Sequence, residues 1–307
     1  MSIMSNVKRA FAVAAAAATL FSMTACGSSN ADSNTESDSS TAASSGKIEV
    51  VASINQWGSV AADLGGDNVE VTNIMTKTNV EAHDYEPTAQ DVAKFGSAKV
   101  AVVNGADYDP WASKAAESTK ATLVDAAETA DIKEGDNPHV WFSAKVRSAT
   151  ADAITAAYQK ADPDHKDDYA KLNKDWHAKE DTLESKIKET SAKTAGLPYA
   201  ATESVAWYLA DDLKMTDATP TGYAQASANE SEPTPSDIKA FQDALKDGKS
   251  IRMLVFNSQE ANSTTDQITS AAKEANVPIV ELTEQMPAEY SDLLDWMSAL
   301  VDQFANA

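Results

Sequence analysis

Two lobes, each a parallel β-sheet covered by helices and joined to the other by one long helix: this α/β architecture is what the sequence predicts. Three observations predict it. Apolar runs of strand length alternate with helical patterns over residues 47–126 and again over 198–304. A highly charged stretch with helical spacing, 163–195, separates the two series. One motif occurs in both: "EPTAQDVAKF" at 86–95 and "EPTPSDIKAF" at 232–241 share Glu, Pro, Thr, Asp and Phe in register, with a Val/Ile pair.

The elements follow in order. Residues 1–25 read as an export signal, with Lys8 and Arg9 ahead of an apolar run from Phe11 to Phe21 that is too short for a permanent membrane span. "MTAC" puts small residues directly before Cys26, as in a bacterial lipidation site, with Met23 where leucine is usual. Cys26 is the sole cysteine and cannot form an intramolecular disulfide. A plain secretory signal with an incidental cysteine is the simpler alternative. Residues 26–46 form a tether: after Cys26 nothing apolar is larger than alanine, so ordering entropy wins. Its root-mean-square reach is roughly 25 Å.

The first lobe, 47–162, opens with the strand "KIEVVAS" (47–53) and a helix from Asn55 to Leu64, stopped by Gly65–Gly66. "VEVTNIM" (69–75) is a strand, the His83 loop follows, and a helix starts at Thr88. "AKVAVVN" (98–104) is a buried strand, Pro110 opens a helix, and "ATLVDA" (121–126) is a further strand. The second lobe, 196–307, repeats the rhythm. It has "PYAATE" (198–203), a helix to Leu213, a helix from Pro235, "IRMLVFN" (251–257), a helix to Ala275, "PIVELTE" (278–284), and a helix ending near Phe304. Between the lobes, Tyr169, Leu172, Trp176, Leu183 and Ile187 make one apolar stripe, broken around Glu180. Thirty helical residues span roughly 45 Å, longer than one lobe needs. His165 and His177 on this helix read as exposed surface histidines.

The formal charge of −22 disfavours nucleic acid as a partner. It draws cations toward any cleft, or serves solubility alone.

Both EPT motifs are helix starts. Thr88 and Thr234 can cap, and Asp91 and Asp237 sit near the positive helix end. Extending the register backward sets Asn229 opposite His83, so the cap is duplicated and the histidine is not. His139 lies in "NPHVWF" (137–142), after Pro138 and before Trp141. A lone histidine beside aromatics is often a packed core residue. Two histidines in strand-to-helix loops of one lobe sit where open parallel sheets bind ligands. The second lobe has no histidine, but Glu203 and Glu284 end two of its strands. Either glutamate alone reads as charge at a helix start. Together His83, His139, Glu203 and Glu284 form a two-histidine, two-carboxylate set drawn equally from both lobes.

The motifs "GGDNVEVTNIM", "EAHDYEPTAQDVAKF", "NPHVWFSAKV", "ATESVAWYLA", "EPTPSDI" and "VPIVELTE" carry a resemblance over residues 47–307. The chain resembles the zinc/manganese family of ABC-transporter solute-binding proteins, the metal-binding lipoproteins called cluster A-I. The resemblance implies two β/α lobes joined by a rigid helix, with the metal site in the inter-lobe cleft. It matches the family's first two ligands to His83 and His139, and Thr202–Glu203 to the glutamate form of the third. Thr283–Glu284 stands where an aspartate is usual, one methylene longer. It further implies an ABC permease and its cytoplasmic ATPase as partners. The run before Cys26 adds the expectation of an extracytoplasmic protein lipid-anchored to the bacterial membrane, and a monomer is expected. The bound ion, Zn2+ or Mn2+, is cargo, and no catalytic cofactor is expected.

Zinc binds such sets more tightly on intrinsic grounds. Glu203, and the absence of a histidine-rich loop before "PHVW", tilt the reading toward manganese. The chain has no phosphate-binding loop of the P-loop type. The alternative function is an exported metalloenzyme such as a hydrolase, although catalytic zinc keeps three protein ligands and an open position. A third is a cell-adhesion role, which no sequence feature tests. Tyr85 and Trp141 are expected to pack the cleft.

Overall fold

The structure, a computed structural model, describes residues 46–80 and 85–307. The signal segment, Cys26, nearly all of the tether, and His83 lie outside the described residues.

Two four-stranded parallel sheets form the two lobes. In the first, β1 (Ile48–Ile54), β2 (Val69–Met75), β3 (Val100–Val103) and β4 (Thr122–Asp125) run in the order β2-β1-β3-β4. In the second, β5 (Pro198–Ala201), β6 (Thr216–Asp217), β7 (Met253–Asn257) and β8 (Ile279–Leu282) run in the order β6-β5-β7-β8. The order is the same in both, and every pairing is parallel. β1 and β3 are buried almost throughout, as a sheet covered on both faces requires.

The duplicated cap is present in both lobes. α2 (Ala89–Phe95) and α8 (Pro235–Lys246) each start from a reciprocal capping box. Thr88 Oγ1 accepts the Asp91 N–H at 3.2 Å, and Asp91 Oδ2 accepts the Thr88 N–H at 3.0 Å. The corresponding distances for Thr234 and Asp237 are 3.3 and 3.1 Å. Hydrogen bonding, first from the Thr88 side chain, holds the Asp91 carboxyl down at about 2.

α5 (Lys166–Thr194) is a single helix of 29 residues, about 43 Å long. It packs on α1 (Asn55–Gly65) and α4 (Ala144–Ala161) of the first lobe and on α6 (Trp207–Asp212) and α10 (Leu293–Asn306) of the second. The break in its apolar stripe is filled. Glu180 is 2% exposed and takes a two-pronged contact from Arg147 of α4, itself fully buried, with nitrogen to oxygen distances of 2.7, 3.0 and 3.2 Å. His165 and His177 are half-buried instead of exposed, each facing a carboxylate: Asp162 at 2.6 Å and Asp152 at 2.9 Å.

Three apolar clusters fill the described chain. One lies on the outer face of the first sheet, around Phe95 and Val103. Another lies on the outer face of the second, around Phe241 and Leu254. The third is common to both lobes and joins inward residues of both sheets, such as Val50, Val102, Met253 and Val280, with α1, α4, α5 and α10. Among the described residues, no helix is long and apolar enough to cross a membrane.

Two pieces depart from the sequence expectation. α4 is a full helix of 18 residues whose inward face holds Arg147, Thr150 and Thr155 among its apolar side chains, so no clean stripe marks it. β6 and α7 (Thr221–Ala228) are short and lie between two expected helices.

Candidate metal centre

Three of the four expected residues converge where the carboxyl ends of the two sheets face each other. His139, Glu203 and Glu284 offer ligand atoms that all lie within 4.8 Å of one another. His139 Nε2 is 3.6 Å from Glu203 Oε1 and 3.8 Å from Glu284 Oε2. Two donors on a tetrahedral zinc with bonds of ~2.0 Å stand about 3.3 Å apart, so the set is sized for one small cation. Glu284 and His139 are buried, while the Glu203 side chain keeps 14% of its surface and faces the opening. The fourth residue, His83, lies outside the described residues.

The histidine tautomer follows from its neighbour. Asn137 Oδ1 accepts the His139 N–H at 2.9 Å and faces Nδ1 at the same distance, while Asn137 Nδ2 donates to the Ser204 carbonyl at 2.8 Å. An acceptor opposite Nδ1 makes Nδ1 the protonated nitrogen and turns the Nε2 lone pair toward the two glutamates. Asn137 also ties the loops of the two lobes together at the site. Trp141 is buried edge-on to His139, with ring centroids 5.4 Å apart, and packs the cleft as expected.

Four residues that the sequence reading did not single out complete the surroundings. Asn257, closing β7, donates through Nδ2 to Glu203 Oε2 at 2.7 Å and to Glu284 Oε1 at 3.0 Å. Tyr108 donates its hydroxyl to Glu284 Oε2 at 2.8 Å from the opposite lobe. Gln56, in the first turn of α1, donates to the Glu284 carbonyl at 2.6 Å, and the neighbouring Asn55 to that of Met286 at 2.7 Å. Tyr108 is aimed by a left-handed run at Gly105, Ala106 and Asp107, with φ of 76°, 49° and 64°. A Cβ at Gly105 would meet Asp125 Oδ1 at 2.0 Å. Such strain persists only where the surroundings over-determine it. Here both oxygens of buried Asp109 hold the Asn104 and Gly105 N–H groups at 2.8 and 2.9 Å. Burial pushes the Asp109 carboxyl up to about 6. A polar side chain ending an apolar strand, as in "IRMLVFN", was the available signal for Asn257.

The flanks of the His83 loop are held. Gln259 of the second lobe donates to the Val80 carbonyl at 3.0 Å. Tyr85, half-buried and 5.1 Å from the Trp111 ring, donates to Asp91 Oδ2 at 3.0 Å. The opening is a cavity of about 350 Å³ bordered by Asp107, Asp136, Asn137, His139, Glu203 and Glu230. Negative charge is felt beside it: burial first, then Glu203, Glu232 and Glu260, push the Tyr223 hydroxyl up to about 12.

A family model described as "ZnuA: Zinc-uptake complex component A periplasmic" matches residues 50–307. The chain belongs to this family. It is 24% identical over 298 residues to the "High-affinity zinc uptake system protein ZnuA" of Bacillus subtilis (strain 168), covering 90% of this chain and 89% of that one. It is 25% identical over 259 residues to the "Manganese ABC transporter substrate-binding lipoprotein PsaA" of Streptococcus mitis, covering 78% and 80%. Among solved structures, the periplasmic zinc-binding protein TroA of Treponema pallidum superposes with a TM-score of 0.71 at 17% identity, over 85% of this chain and 99% of that one. The laminin-binding protein Lmb of Streptococcus agalactiae, described as bifunctional with adhesin and metal-transporting activity, gives 0.71 at 20%, over 85% and 98%. The two structural likenesses establish the shared fold.

Proposed function

We propose that this protein is the extracytoplasmic solute-binding component of an ABC importer, capturing a divalent transition metal, zinc or manganese, and delivering it to a permease driven by a cytoplasmic ATPase. The observation that carries the reading is the convergence of His139, Glu203 and Glu284 from both lobes, in a chain of this family. The protein is a binding component and not an enzyme. His83 is the fourth ligand of the proposed set, supported by the "HDYEPT" motif and by the anchored flanks of its loop.

The acidic opening raises the local cation concentration. One imidazole and two carboxylates then replace water on the ion, and His83 completes a set that leaves no position for a reacting water. The ligands bind unprotonated, so affinity falls as pH drops. The hydrolase alternative gains nothing from this arrangement. Acylation of Cys26 with two chains would hold the protein at the membrane. The protein acts as a monomer on a tether.

Elemental analysis of the purified mature chain tests the reading, followed by competition between zinc and manganese. Stoichiometric metal, removable by a chelator, is the expected result. Protein that takes up neither ion overturns it.

A further inference from the structure

Asn257 is 1% exposed, and its amide orientation is set by its neighbours. Oδ1 accepts the Gln259 N–H at 3.1 Å, so Nδ2 carries the donor hydrogens. Both go to the candidate ligands: Glu203 Oε2 at 2.7 Å and Glu284 Oε1 at 3.0 Å. One amide therefore holds one oxygen of each carboxylate. The other oxygens, Glu203 Oε1 and Glu284 Oε2, are the two turned toward His139 Nε2.

We infer that Asn257 is a positioning residue that sets the coordination number of the cargo: it makes Glu203 and Glu284 each present a single oxygen, and so favours zinc over manganese. The inference rests on the proposed function. A bidentate carboxylate brings both oxygens to the ion. An oxygen can accept a hydrogen bond and still bind an ion, as Glu284 Oε2 is placed to do while accepting from Tyr108. The limit is one of position: Glu203 or Glu284 would have to swing its second oxygen out of the place where Nδ2 holds it and lengthen the hydrogen bond of a buried donor. Zinc is satisfied by four donors in a tetrahedron. Manganese suits oxygen-rich, octahedral surroundings, which two single-oxygen carboxylates supply poorly. Asn257 thus works against the manganese tilt that Glu203 and the missing histidine loop give the sequence. The device needs both glutamates at once, since the amide has two hydrogens and spends one on each.

Cobalt(II) substitution reads coordination number directly, because four-coordinate cobalt absorbs visible light far more strongly than six-coordinate cobalt. The full mature chain is compared with Asn257→Ala and with Asn257→Ser, whose hydroxyl can still accept the Gln259 N–H if the alanine variant fails to fold. Thermal melts of the metal-free proteins identify the folded variant to be used. The expected result is an intense four-coordinate cobalt spectrum in the wild type and a weaker, higher-coordinate one in the variant. The zinc-to-manganese affinity ratio, measured by competition, should fall about tenfold or more. A wild-type cobalt spectrum of six-coordinate type overturns the inference. So does an unchanged spectrum in the variant, or an equal loss of affinity for both ions, which marks a merely structural residue; metal capture survives each of these results. A wild type that binds neither cobalt, zinc nor manganese instead overturns the reading on which the inference rests.

Discussion

Replacing Glu180 by alanine tests what holds the bridging helix. The change leaves Arg147 fully buried and removes its two-pronged partner. Breaking a buried pair from one side costs about 3–5 kcal/mol, because the surviving charge is stranded in a poor dielectric. Two contacts soften the loss. Arg147 still reaches Glu184 Oε1 at 3.2 Å, on a side chain 40% exposed, and the Trp141 carbonyl at 3.2 Å. The expected cost is therefore at the lower end, about 3 kcal/mol. For a chain of this size each kcal/mol moves the melting temperature by about 2–4 °C, so calorimetry of metal-free protein at pH 7 should show a drop of about 6–12 °C. The paired change Arg147→Met with Glu180→Leu removes both charges at similar volume and should cost little, ~1 kcal/mol or less. A drop under about 2 °C for Glu180→Ala, or a double variant as unstable as the single one, would refute the reasoning.

Calorimetric titration with zinc and manganese should separate ligands from bystanders. His83→Ala and Glu203→Ala should lower affinity by more than the ~10–100-fold typical of a residue that only supports a ligand. Glu284→Ala should lower it less, and Asn229→Ala should leave it nearly unchanged; wild-type affinity in His83→Ala would sink that assignment. Cys26→Ser should move the protein from the membrane to the soluble fraction, and a variant that stays membrane-bound, beside a wild type without lipid mass, contradicts the anchor. Metal loading should barely change the radius of gyration in small-angle scattering, since the lobes share one core; a large decrease would point to a flexible hinge. Asp63 provides the pH test. Burial first, then Asp292, push its carboxyl up to about 6 against the opposing pull of Lys179. A carboxyl raised in the fold contributes stability that is complete below about pH 4 and lost as pH rises through about 6. Asp63→Asn should therefore stabilise above pH 6 and do nothing near pH 4. The gain is about 1 kcal/mol once discounted for a side chain 32% exposed, and melts across pH would show it.

How much was legible in the sequence depended on whether the signal was local. Strand runs such as "VEVTNIM" and caps such as Thr88–Asp91 carry their own pattern, and both appear within a residue or two of the expected bounds. α4 was illegible because its inward face mixes Ala, Thr and Arg, and the reason for burying Arg147 lies 33 residues away at Glu180. The same distance hid the meaning of the gap at Glu180, which looked like a break in the stripe and is its polar half. At the site, His139 and the glutamates announced themselves by type and by position after strands. Asn257 and Tyr108 did not, since an amide or a phenol gains its role only when the fold brings a carboxylate from 27 or 176 residues away.

The core common to both sheets also bears on how the chain reaches its native state. α10, drawn from residues 293–306, packs against α5 and α1 and supplies Trp296, Leu300 and Phe304 to that cluster. The first sheet is covered early by α1 and α4, but the faces of α1 and α5 that receive α10 stay uncovered until residues 293–306 have been delivered. Contacts of such sequence separation form late and slowly. Each lobe can thus build its own sheet first, while the seal between them waits for α10, so assembly of the shared core is the step that its most distant contacts delay.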